Sequence, residues 1–106
     1  MRRGEIRWYR FAKPDKKRPV LILTRNSTLE YLADVTIAPL TTRLRDIPTQ
    51  VVVTRDEGMP GDSAVSLDHI QTVPQCQVGS LLTSLPHSKM AAIENAIGFA
   101  LGFSSR

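Results

Sequence analysis

Apolar and polar side chains alternate up to about residue 82, and beyond it apolar residues recur at spacings of three and four, so the chain reads as short strands followed by one helix. Residues 5–11 place Ile6 and Trp8 on one side. Residues 20–24, Val-Leu-Ile-Leu-Thr, form a continuous apolar run of the kind carried by a fully buried strand. Alternation returns at 35–40, β-branched residues dominate 49–54, and short strands are expected at 64–67, 70–73 and 78–82. The prolines, at 14, 19, 39, 48, 60, 74 and 86, punctuate these runs as strand-ending or turn residues do. From Ser88, expected as N-cap, Met90, Ile93, Ile97 and Leu101 mark one helix face, with Ala91, Ala92, Ala96 and Ala100 adding helix propensity. Parallel strands would need crossovers of a dozen or more residues, so the pattern predicts a mainly β fold: a small antiparallel barrel with a C-terminal helix. No linker or repeat divides it, which predicts one domain over residues 1–106.

Hydrophobic residues at 42% and charged residues at 23% are enough for a folded core. A single core of this size is stable by a modest margin, which makes pairing into a homodimer an expected further source of stability. Neither a signal peptide's apolar segment nor a membrane-spanning run is present, so no membrane is expected as partner. Cys76 is the lone cysteine, expected as a small buried or semi-buried hydrophobe; beside it stand only His69 and His87, a thin supply of metal ligands. The expectation is a cytoplasmic protein without metal or cofactor. Charge sharpens this picture: residues 1–25 hold nine basic side chains against Glu5 and Asp15, a balance of +7, while the net +4 leaves −3 for the remainder. A basic segment on a mildly acidic body steers polyanions such as nucleic acid or an acidic protein tail.

Three connections stand out as working loops, at residues 12–18, 41–46 and 55–62, the first two of them basic. Arg18 ends the first, held at a stiff edge because Pro19 restricts the residue before it; its guanidinium is a fork suited to two phosphate oxygens. In the second, Thr41 and Thr42 offer hydroxyls beside Arg43 and Arg45, a set that suits a phosphate. No phosphate-binding glycine loop, zinc-protease helix, nucleophile elbow or calcium loop occurs. Asp56, Glu57, Asp62 and Asp68 are scattered through turns, as solvated loop residues are. His69 and His87 remain candidates for a general base or for structural roles.

Four blocks, Arg3-Gly-Glu-Ile6, Arg18-Pro-Val-Leu-Ile-Leu-Thr-Arg25, Val35-Thr-Ile-Ala-Pro-Leu-Thr41 and Asp62-Ser-Ala-Val-Ser-Leu-Asp-His-Ile-Gln-Thr-Val73, followed by the Met90, Ile93, Ile97, Leu101 helix, resemble the MazF/PemK family of toxin endoribonucleases over nearly the whole chain. The resemblance implies an SH3-like barrel with a terminal helix, a homodimer, cleavage of RNA without metal, and neutralisation by an antitoxin. Residue by residue it implies Arg18 and Thr41 as catalytic, with Thr42 the adjacent alternative. Around them, Lys13, Lys16, Lys17, Arg25, Thr42, Arg43, Arg45 and Gln71 are the expected RNA-binding residues. The chain departs from the family in two places. The loop before Arg18 is short and basic where family members commonly carry a Glu, and Asp68-His-Ile-Gln-Thr72 replaces the frequent D-Q-I-R block with His69 and Gln71.

Three functions are consistent with these features: a sequence-selective toxin that cuts single-stranded RNA through its own 2′-OH, a toxin of the same fold that poisons a protein such as DNA gyrase, and a non-catalytic RNA-binding barrel. Arg18 before Pro19, Thr41 and the two basic loops favour the first.

Overall fold

The computed structural model describes residues 1–12 and 16–103, so Lys13 lies outside the described residues. Among the described residues seven strands form: β1 (Glu5–Phe11), β2 (Lys16–Ile22), β3 (Asp34–Thr41), β4 (Gln50–Val53), β5 (Ser63–Ser66), β6 (Gln71–Pro74) and β7 (Val78–Ser84). A one-turn helix α1 (Asn26–Leu29) follows β2, and α2 (His87–Ala100) follows β7. Short 3₁₀ turns occupy Arg55–Glu57, Leu67–His69 and Gln75–Gln77.

All pairings are antiparallel and run in the order β4-β5-β3-β2-β1-β7, with β6 also on β3. The long β3 is the axis of the molecule. Its first half, Asp34 to Ile37, pairs with β6 and its last residues, Leu40 and Thr41, with β5, while β2 runs along the other edge. The sheet therefore curls around β3 into a barrel-like shape whose outer strands, β4 and β7, are not paired to each other among the described residues.

Curling places apolar clusters on both sides of β2, which explains its unbroken hydrophobic run: Val20, Leu21 and Ile22 are all fully buried. Leu21 joins Ile6, Leu40, Val65, Leu67 and, from α2, Met90, Ile93 and Ala96. Val20 and Ile22 join Leu29, Val35, Ile37 and Val73, with Tyr9, Phe11 and Val78 packed against them.

Three local expectations are corrected. β2 starts at Lys16 and ends at Ile22, because its polar half is held by ladder pairing to β1, from Phe11↔Lys16 to Ile6↔Leu21, which hydropathy does not register. Pro86 is the N-cap of α2, extended at φ −73° and ψ 164°, and its carbonyl accepts from the N–H groups of Lys89 and Met90; Ser88 lies inside the first turn. Cys76 is exposed, since the 3₁₀ turn that carries it breaks the two-residue period that would have turned it inward.

Candidate functional site

Antiparallel register brings two distant basic segments together. β2 and β3 are paired from Ile22↔Ile37 to Val20↔Pro39, and just beyond the end of that pairing Arg18 and Thr41 line one cleft. The opposite side of β3 is closed by the Leu67–His69 turn, where pairing passes from β5 to β6. Between them opens a cleft of about 430 Å³, lined by Arg18, Thr41, Arg43, Arg45, Asp68 and His69 together with Phe11, Pro39, Leu40, Ile47, Gln50, Ser66 and Gln71. Three arginines face one carboxylate, so the cleft carries net positive charge beside apolar side chains.

The geometry of each group follows from its anchoring. Arg18 is exposed, and among the described residues its guanidinium has no hydrogen-bond or ion-pair partner, which leaves both prongs of the fork open to a ligand. The Thr41 hydroxyl accepts from the Arg43 N–H at 3.1 Å, so its own proton remains to be donated. Arg43 and Arg45 are held by one amide: Gln50 Oε1 accepts from the Arg45 N–H at 2.7 Å, and Gln50 Nε2 donates to the Arg43 carbonyl at 3.3 Å. This clamp fixes the loop backbone while both guanidinium groups stay exposed.

The other wall is equally fixed. Leu67 is buried, its N–H donates to the Thr49 carbonyl at 2.9 Å, and the buried Thr49 hydroxyl donates to Asp68 Oδ2 at 2.6 Å. Ser66 Oγ lies 2.8 Å from His69 Nδ1. Among the described residues no group of three or more His, Cys, Asp or Glu side chains is placed to hold a metal ion, and no helix is long and apolar enough to cross a membrane.

Of the residues singled out from the sequence, Arg18, Thr41, Arg43, Arg45 and Gln71 share this cleft. Thr42 is exposed beside it without lining it. Lys16 and Lys17 stand on β2 next to Arg18 but outside the lining, Lys17 with its ammonium 5.3 Å from the centre of the Trp8 ring. Arg25 is remote: it precedes α1, at the opposite end of β2 from Arg18. Sequence reasoning missed Gln50, Thr49 and Ser66, whose importance lies in partners 5, 19 and 3 residues away, and Phe11, whose place in the wall depends on the β1–β2 pairing.

A family model described as the PemK-like, MazF-like toxin of type II toxin–antitoxin systems matches residues 2–101. The chain belongs to that toxin family. Among the toxin's relatives, endoribonuclease MazF3 of Mycobacterium tuberculosis is 44% identical over 89 residues, 84% of this chain and 86% of the relative. The probable endoribonuclease MazF5 of the same organism is 32% identical over 103 residues, 96% of this chain and 94% of the relative. Among solved structures, the M. tuberculosis toxin MazF-mt6 superposes with a TM-score of 0.85 at 39% identity, covering 92% of this toxin and 96% of that chain. An endoribonuclease in complex with its cognate antitoxin, from a mycobacterial species, superposes with a TM-score of 0.89 at 28% identity over 100% and 99% of the two chains. The barrel-like β fold with a C-terminal helix expected from the alternation is thus the fold of MazF toxins.

Proposed function

We propose that this toxin is a sequence-selective endoribonuclease that cuts single-stranded RNA without a metal, using the 2′-OH of the nucleotide before the scissile phosphate as nucleophile. Membership of the toxin family and kinship to endoribonucleases support the activity. The observation that carries the chemistry is the convergence of Arg18, Thr41, Arg43 and Arg45 on one cleft.

In this reading Arg18 is the catalytic electrostatic group. Its open fork receives two oxygens of the phosphorane, which carries more charge than the ground-state phosphate, and so lowers the barrier. Thr41 donates its free hydroxyl proton to the same phosphate and holds it in line for attack. Arg43, Arg45, Gln71 and the neighbouring Thr42, Lys16 and Lys17 bind the flanking RNA, where phosphate contacts set register without reading sequence. Lys13 and Arg25 belong to the same proposal as outer contacts of a longer strand. Residues 1–106 act as one domain in the cytoplasm, as a homodimer, and a cognate antitoxin with a flexible acidic segment occupies the basic surface in place of RNA.

The test is incubation of the purified toxin with total RNA, followed by mapping of new 5′ ends and cleavage of an oligonucleotide carrying one 2′-deoxy residue just 5′ of the cut. The expected products end in 2′,3′-cyclic phosphate and 5′-OH, EDTA leaves the rate unchanged, and the deoxy substrate binds but survives. Cleavage of that deoxy linkage at full rate shows water to be the nucleophile and overturns the mechanism.

A further inference from the structure

We propose that His69 is the general base of this cleft, the group that takes the proton from the attacking 2′-hydroxyl. The inference deepens the endoribonuclease reading and rests on it. Arg18 cannot serve, because a guanidinium holds its proton at any physiological pH and so stabilises charge without accepting a proton. Thr41 has its oxygen engaged by the Arg43 N–H. The remaining cleft groups able to accept a proton in water are Asp68 and His69. The carboxylate of Asp68 is already bound through Oδ2 to Thr49 at 2.6 Å, a bond that fastens the turn to the start of β4.

His69 is placed differently. Its Nδ1 is held 2.8 Å from Ser66 Oγ on a turn anchored by the buried Leu67. With Ser66 Oγ as acceptor, the proton sits on Nδ1 and the lone pair on Nε2, the ring nitrogen that no described residue engages. One ring nitrogen is thus fixed and the other left unengaged by the described residues, the pattern of an oriented imidazole. His69 is exposed and lines the cleft together with Arg18 and Thr41.

The step balances as follows. Nε2 takes the 2′-OH proton while the 2′-oxygen forms its bond to phosphorus. The bond from phosphorus to the 5′-oxygen breaks, and that oxygen takes a proton from solvent water. The imidazolium then returns its proton to the hydroxide so formed, leaving a 2′,3′-cyclic phosphate, a 5′-OH and neutral His69.

Charged groups around the imidazole are Arg18 from β2, Arg43 and Arg45 from the loop after β3, and Asp68 from its own turn. On α2, which packs on the same turn, Lys89 is bound to Glu57 and the Val52 carbonyl and Glu94 to Arg3, while His87 is exposed at the helix start.

The experiment is single-turnover cleavage from pH 5 to 9 by the wild type, His69→Gln, His69→Ala and Asp68→Asn. Wild-type rate should rise tenfold per pH unit along an acid limb and then level off. His69→Gln should lose 10²- to 10⁴-fold, the usual yield of a positioned base, together with that acid limb, while affinity for the 2′-deoxy oligonucleotide stays unchanged. Imidazole in the buffer should restore part of the His69→Ala rate, a response that a purely structural histidine does not give. A His69→Gln enzyme that keeps the wild-type limb overturns the assignment, as does an Asp68→Asn enzyme that alone loses it. If the wild type itself leaves RNA whole or cuts the deoxy linkage, it is the reading of the cleft that fails, whatever His69 does.

Discussion

Arg18 owes its openness to where it stands: one residue before a proline, on the half of β2 that pairs with β1 but has run past its pairing with β3. A group without a partner among the described residues is available in full to a phosphorane, so Arg18→Ala is expected to reduce kcat by about 10²- to 10³-fold with the fold intact. Arg18→Lys should not restore the rate, because a point charge cannot copy a planar fork. Thr41→Ala should cost roughly tenfold or more, as loss of one hydrogen bond to charge does, and Thr42→Ala, outside the lining, less. Single-turnover rates on one oligonucleotide check all four. Gly58 gives a contrasting residue, important to stability only. It takes φ 96° after the Arg55–Glu57 turn, and a Cβ there would run into the Thr83 hydroxyl, which donates to the Glu57 carbonyl at 2.7 Å. Gly58→Ala should cost about 1–3 kcal/mol, a fall in Tm of roughly 5–15 °C, with cleavage at 25 °C retained.

Elements carry the site by being fastened to one another through a few polar side chains. Gln50 at the start of β4 clamps the Arg43–Arg45 backbone, and Gln50→Ala should raise KM about fivefold with little change in kcat, the equivalent of about 1 kcal/mol of lost hydrogen bonding. Two carboxylates tie element ends. Burial opposes ionisation of Glu5, but hydrogen bonds from Arg7 and the Arg2 N–H overcome it and hold the carboxyl below its ordinary value. The Thr54 N–H, then its hydroxyl and Lys89, do the same for Glu57, joining the 3₁₀ turn to α2. Both folded values are depressed, so the unfolded chain takes up protons first. Their contribution is present above the ordinary value of 4.5 and is lost as pH falls through the folded values below it. Urea midpoints should therefore decline below about pH 4.5, and Glu57→Gln should flatten the decline. What the sequence disclosed at this scale was period and burial: the alternation of β3 and the continuous apolar run of β2 are visible because burial imposes them, whereas in β1 only Ile6 is buried and Tyr9 and Phe11, not Trp8, pack against the core. Pairwise fastenings such as Gln50 to Arg45 or Thr49 to Asp68 leave no periodic trace, since any polar residue in a turn looks alike until its partner is known. Distance along the chain is no guide either: Arg25, expected with Arg18 among the RNA contacts, stands beyond the far end of β2 from it.

For the whole molecule, the asymmetry between a +7 first segment and the rest predicts RNA binding that weakens with salt, at a log–log slope of about −0.7 per phosphate neutralised. Replacing Lys16 and Lys17 with Ser should lower that slope and weaken all sequences alike; filter binding from 50 to 300 mM salt measures it, and a flat line refutes the electrostatic account. The barrel's curl around β3 has a further consequence, in time. Some fifty residues separate Arg18 from His69, which at ordinary elongation speeds is about 3 to 10 s of synthesis. During that interval the newborn chain offers β1, β2 and then β3, with their cations and no opposite wall, beside the most abundant RNA in the cell. A cutting edge built on one hairpin would be armed while still tethered to its ribosome. If Arg18 and His69 act together as proposed, one split across β3 cuts only after the later strands have docked, and the order of translation itself becomes a safety catch for the machine that makes the poison.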